Sequence, residues 1–116
     1  MAGNDPRTRG TPLELYIEAT YPGAETTSNS GATFEEGDLH TQVFLIEAKT
    51  RTKIKGISIS AEDVRKGIGQ GIKRRRTPMF VLRNGLAHDW ACLPYQKLVE
   101  MQKRLDFLES LYGDDI

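Results

Sequence analysis

Residues 38–50, Asp-Leu-His-Thr-Gln-Val-Phe-Leu-Ile-Glu-Ala-Lys-Thr, decide which fold the 116-residue chain can adopt. Val43-Phe44-Leu45-Ile46 is a compact apolar run with strong strand propensity. It predicts a buried strand that continues through Glu47, Ala48 and Lys49. Side chains alternate faces along a strand, so Leu45, Glu47 and Lys49 share one face and Phe44, Ile46 and Ala48 the other. A carboxylate and an ammonium at the end of an apolar strand are costly unless paired or coordinated. Asp38 stands far enough before the strand for a short hairpin or bend to bring its carboxylate beside Glu47.

Upstream, residues 1–9 read as a loose polar tail, and residues 10–116 as one domain. Thr11-Pro12-Leu13-Glu14 is a helix start, with Thr11 as cap, Pro12 at the first helical position and Glu14 at the capping-box spacing. Leu13, Tyr16, Ile17 and Thr20 follow at helical spacing, and Pro22-Gly23 ends the segment. Ala24 to Gly37 is rich in Ser, Thr, Asn and Gly, a loop with room for a short strand.

Downstream, Ile57-Ser58-Ile59-Ser60 alternates like a short strand, and Ser60 caps a helix over residues 61–76. Val64, Ile68 and Ile72 form that helix's apolar stripe. Gly67, Gly69 and Gly71 each cost a helix about 1 kcal/mol against Ala, which calls for a reason such as close approach of another backbone. Met79 to Leu82 is a second buried strand, Asn84-Gly85 a hairpin signal, and residues 88–93 the returning strand. Trp90 is expected in the core, with stacking on DNA as its other reading, and Cys92 as a buried small apolar residue. Pro94 opens a last helix reaching Tyr112, with Leu98, Met101, Leu105, Leu108 and Tyr112 on one face, widened by Val99, Phe107 and Leu111, a face that reads first as core and second as a dimer interface. The expected fold is α/β, a small mixed central sheet flanked by helices.

No apolar run approaches the ~20 residues needed to span a bilayer. The polar first ten residues do not resemble a signal peptide, and a single cysteine fits a reducing cytoplasm. The formal net charge of zero hides a segregation. Residues 1–48 carry two basic and eight acidic residues, whereas residues 49–76 carry ten basic and two acidic. The basic middle reads either as a phosphate-binding surface or as a solvated helix face. His40 and the pair His88-Asp89 lack metal-like spacing and read as strand-end polar groups.

If Asp38 and Glu47 converge, two carboxylates offer Mg²⁺ the oxygen ligands it prefers. Such an ion polarises a phosphodiester and acidifies an attacking water. Lys49 would then orient that water or stabilise charge on the phosphate. The competing reading is a plain Glu47–Lys49 salt bridge at a sheet edge.

These elements resemble the PD-(D/E)XK nuclease superfamily, and within it the archaeal-type Holliday junction resolvases and their phage relatives. The resemblance runs from about Gly10 to Leu93. It comprises Gly10-x-x-x-Glu14, the loop Ser28-Asn29-Ser30-Gly31, Gly37-Asp38, the strand ending Glu47-Ala48-Lys49, and a helix with Gln70 leading through basic residues to Thr77-Pro78. Asp and Glu-x-Lys are shared across the superfamily; the loop and the Gln-to-Pro stretch point towards resolvases. Glu36-Gly37 stands before Asp38 where many members have Pro.

The resemblance implies a restriction-endonuclease-like fold. It implies metal binding by Asp38, Glu47 and Glu14, with Glu18 as a substitute for Glu14 and capping as Glu14's other role. It implies assistance by Lys49, Ser30 (or Ser28) at the scissile phosphate, and Gln70 near the lysine. Arg51, Lys53, Lys55, Arg65, Lys66, Lys73, Arg74, Arg75 and Arg76 would grip phosphates, fixing the backbone without reading bases. The expectation is therefore a Mg²⁺-dependent (Mn²⁺ substituting) homodimeric endonuclease of four-way junctions, acting in DNA recombination and repair. It would work in the cytoplasm of a prokaryote or a phage-infected host. Alternatives are a nicking or restriction-like nuclease, an inactive nucleic-acid-binding module of the same fold, or a structural or interaction protein with a helical dimer face.

Overall fold

The computed structural model describes residues 11–26, 39–51, 56–84 and 88–112. The expected tail 1–9 and the turn at Gly85 lie outside them. The elements run α1 (Pro12–Thr20), β1 (Glu25–Thr26), β2 (Leu39–His40), β3 (Phe44–Thr50), α2 (Ala61–Arg74), β4 (Thr77–Arg83), β5 (Trp90–Cys92) and α3 (Tyr95–Tyr112). The five strands form one mixed sheet in the order β1-β2-β3-β4-β5. Only β3 and β4 are parallel, in register from Phe44↔Thr77 to Thr50↔Arg83, with α2 in the connection between them. The outer pairings are antiparallel. This is the expected α/β class.

The start of α1 forms as its residues dictate. The Thr11 hydroxyl accepts the Glu14 N–H at 3.2 Å, and Glu14 Oε1 accepts the Thr11 N–H at 2.7 Å. That reciprocal pair satisfies two of the donors a helix start leaves open. Leu13 and Ile17 then drop from α1 onto Ala24, Leu39, Phe44, Ile46 and Met79 to make the core. Alternation along β3 therefore sends Phe44 and Ile46 towards α1, and Leu45, Glu47 and Lys49 to the other side.

That other side is covered by α2, but not by the stripe expected to cover it. Val64, Ile68 and Ile72 are 41%, 46% and 75% exposed. The helix docks through glycine instead. A Cβ on Gly67 would already touch Pro78 and Phe80, and one on Gly71 would collide with the Arg76 carbonyl. Small residues let the helix backbone approach the strand closely, leaving the bulkier stripe beside the contact. Gly69 faces open space and has no such role.

The helix ends in a Schellman motif. Arg75 adopts the left-handed conformation (φ 57°), its N–H reaches the Ile72 carbonyl at 3.2 Å, and the Arg76 N–H reaches the Gly71 carbonyl at 2.8 Å. The helix thus stops at Arg74, two residues short of the expected end.

Three further expectations are corrected. Residues 57–60 form no strand. Strand β5 is shorter than residues 88–93 and exposed throughout, so Trp90 (63% exposed) is not core and Cys92 is not buried. It is an outer strand of the sheet. Finally, α3 has no buried residue, so its apolar stripe contributes nothing to the core.

Candidate active site

The parallel pair β3/β4 carries the polar cluster, on the face towards α2. Glu47 sits at the midpoint of β3, opposite Phe80 in register. It lines a small cleft with Leu45, Lys66, Gly67, Gln70, Pro78, Met79 and Phe80. Glu47 and Gln70, far apart in sequence, are thus brought to one cleft. The close approach at Gly67 is what lowers Gln70 towards the strand.

Lys49 is the most enclosed charge of the cluster, its side chain only 14% exposed. Its ammonium lies 2.9 Å from Asp63 Oδ2 and 3.7 Å from Glu47 Oε2. Asp63 caps α2: its backbone N–H donates to the Ser60 hydroxyl at 3.0 Å, and its carboxylate accepts the Ser60 N–H at 3.3 Å. The hydrogen bond from Lys49, followed by that from the Ser60 backbone, holds the Asp63 carboxyl below its ordinary range. The side chain of Lys49 is therefore anchored by the helix start and flanked by Glu47.

Sequence reasoning missed Asp63. Its local role was readable from the capping spacing Ser60-x-x-Asp63. Its contact with Lys49 was not, because it depends on how the helix returns to the sheet.

The other predicted residues divide. Asp38, Ser28, Ser30, Lys53 and Lys55 lie outside the described residues. Glu14 is buried at 7% exposure and performs its capping role, on a helix that packs against the face of β3 opposite to Glu47. Glu18 is exposed. Arg51, Arg65, Lys66, Lys73 and Arg75 are exposed. Arg74 is half-buried. Arg76 is committed within the fold, its Nε donating to the Thr41 carbonyl at 2.6 Å and its Nη1 to the Arg74 carbonyl at 3.2 Å. It ties the end of α2 to the turn between β2 and β3.

His40 closes β2, 3.7 Å from Glu25 across the strand pair. Burial and then the nearby Arg76 push its pKa down, against the pull of Glu25. Asp89 takes a two-pronged bond from Arg83 at 2.7 and 2.8 Å, which holds its carboxyl low. Both act as the strand-end polar groups expected.

Among the described residues, no three His, Cys, Asp or Glu side chains gather where they would hold a metal ion. The described donor nearest to such a role is Glu47, whose side chain is 40% exposed and so open to solvent ions. Mg²⁺ is commonly held by only one or two carboxylates together with substrate phosphate and water. Glu47 with one further carboxylate fits that minimum. In comparisons with known proteins, the chain matches no family model, no curated protein and no solved structure.

Proposed function

We propose that this chain is a Mg²⁺-dependent DNA endonuclease of the PD-(D/E)XK type, cutting branched DNA such as four-way junctions. One observation carries the reading. Leu39, which follows Asp38, pairs with Ile46, which precedes Glu47. The strand register therefore ties the two stretches of the Asp…Glu-x-Lys pattern together at neighbouring residues. Lys49 and Gln70 support it, since both are brought to the same side of β3 as Glu47.

In this reading Asp38 and Glu47 hold the ion, whereas Glu14, on the helix against the other face of β3, serves the capping box of α1. The ion would polarise the phosphodiester and acidify the attacking water. Lys49 supplies positive charge to the phosphate, and Asp63 positions its ammonium. Gln70 is a neutral hydrogen-bonding group in the cleft. Arg51, Arg65, Lys66, Lys73 and Arg75 supply solvent-facing cations for flanking phosphates, whereas Arg76 serves the fold. A homodimer would present two such centres to the two strands of a junction.

The anchoring of Lys49 by Asp63 favours one second reading, a nucleic-acid-binding module in which Lys49 serves only as a structural ion pair. A cleavage assay separates the two. On a labelled four-way junction, the wild-type protein should cut with Mg²⁺ and fail with EDTA. Asp38→Asn, Glu47→Gln and Lys49→Ala should each lose at least about 10²-fold in rate. Junction binding without metal-dependent cutting would select the module. Equal cutting of linear duplex would remove the junction preference.

A further inference from the structure

Helix α3 is the longest element among the described residues, and no described neighbour covers it. None of its 18 residues is buried. Leu98, Met101, Leu105, Leu108 and Tyr112 are 48%, 41%, 50%, 43% and 61% exposed. A helix of this length is about 27 Å long. By itself it is marginal in water, so it needs its apolar stripe covered.

The spacing of the stripe says by what. The five residues follow one another at steps of three, four, three and four, which is the a/d seam of a heptad repeat. An a/d seam at this spacing is the pattern of a supercoiled helix pair.

The charges specify the partner and its direction. In this register Arg104 occupies a g position and Glu109 the following e position. In a parallel pair, a g residue faces the e residue five positions further along the partner. Neither Arg104 nor Glu109 has an ion pair among the described residues, whereas Lys97 pairs with Glu100 at 3.4 Å and Gln102 with Asp106 at 2.9 Å inside the helix. An antiparallel pair sets g against g, bringing the basic Lys97 and Arg104 rows towards each other.

We propose that α3 is a self-association helix, which pairs in parallel with α3 of a second copy of this chain. Leu98, Met101, Leu105, Leu108 and Tyr112 form the seam, and Arg104 of each copy meets the partner's Glu109. The inference stands independently of the nuclease reading, since it draws on no residue of the candidate active site.

The test is sedimentation equilibrium on the full chain, whose mass is 13.0 kDa. The expected species has twice that mass. Leu105→Asp, in the centre of the seam, should weaken association at least about 100-fold. The heptad register puts Phe107, expected to widen the face, at a c position away from the seam, so Phe107→Asp should leave association unchanged. Arg104→Glu alone should weaken the dimer, and adding Glu109→Arg should restore it. Circular dichroism on each variant checks that the fold survives, as it should for residues already half exposed.

Direction is tested by Leu98→Cys in a Cys92→Ser background, which should form a disulfide-linked dimer on oxidation because a parallel pair sets the two copies of residue 98 face to face. A monomer at every concentration overturns the proposal. So does a dimer that ignores Leu105→Asp. A dimer without the residue-98 crosslink overturns it too, and points to α3 seated elsewhere, such as the apolar groove of Ile59, Val64, Ile68, Phe80 and Leu93.

Discussion

Two glycines two residues apart on α2 should respond oppositely to the same change. Replacing Gly by Ala in a helix interior gains about 0.8–1.0 kcal/mol from backbone propensity alone. At Gly69 nothing lies within 4 Å of the new methyl, so the full gain is expected. At Gly71 the methyl would meet the Arg76 carbonyl carbon at 3.6 Å, collide with its oxygen, and lie 3.2 Å from Pro78 Cδ. That carbonyl is backbone, and the Arg76 N–H is bonded back to the Gly71 carbonyl at 2.8 Å. Relief therefore requires the Schellman turn and the start of β4 to shift together. Overpacking that moves backbone costs about 1–3 kcal/mol, enough to cancel or exceed the propensity gain. The net expectation is about +1 kcal/mol for Gly69→Ala and a loss of up to about 2 kcal/mol for Gly71→Ala. For a chain of this size 1 kcal/mol is about 4 °C in Tm. Urea titrations monitored by circular dichroism read both variants on one scale. Equal stabilisation of the two would refute the close packing of Gly71 against the Arg76 carbonyl and Pro78, where α2 turns into β4.

Three further outcomes follow from the same geometry. Arg75→Gly should stabilise by up to about 1 kcal/mol in thermal melts, because Arg75 holds a left-handed conformation that costs a side-chain-bearing residue energy and a glycine little. Ile46→Ala, at a fully enclosed core position, should cost about 2–5 kcal/mol in urea titrations, whereas the half-exposed Ile68→Ala should cost far less. The Asp63 carboxyl is depressed in the fold, so its contribution is present above the ordinary value of 3.8 and disappears as pH falls through the folded value. Asp63→Asn should accordingly be less stable than wild type at neutral pH and converge with it in acid; a difference that persists unchanged at low pH would count against the Lys49 contact.

Local signals were legible wherever neighbouring residues carry the information. The capping box of α1, the apolar run of β3, the strand at β4 and the antiparallel return into β5 are all properties of short stretches. The errors share a cause. Val64, Ile68 and Ile72 have the spacing of a core-facing stripe, yet which side of α2 meets the sheet was decided by Gly67 and Gly71, whose smallness gives no hydrophobic signal. Trp90 and Cys92 are apolar by composition, but burial there depends on whether something covers β5. The candidate site shows the same division. Placing Glu47 and Lys49 on one face needed only the period of a strand, whereas the cleft that Gln70 shares with Glu47 depends on how α2 packs on the sheet. Asp63 was invisible because its contact with Lys49 is made across the β3–α2 connection.

The position of this cluster follows from topology as much as from sequence. The sheet has one well-covered face, under α1, where the fully enclosed Leu13, Leu39 and Ile46 lie. Charged groups on that face would meet apolar neighbours with no partners, at a cost the small core has little stability to absorb. The opposite face is roofed by a helix that touches through glycines, so it leaves open space along its flanks. Charged residues at the carboxyl half of β3 are tolerated there because Asp63 and solvent satisfy them. In open sheets containing parallel strands, ligands gather beyond the carboxyl ends of those strands, where chain crossovers leave a crevice. β3 and β4 are the one parallel pair among the described strands, and the cluster runs from Glu47 at the midpoint of β3 to Lys49 near its carboxyl end. The polar cluster therefore occupies the part of this architecture where a ligand has both access and a charged surface to meet.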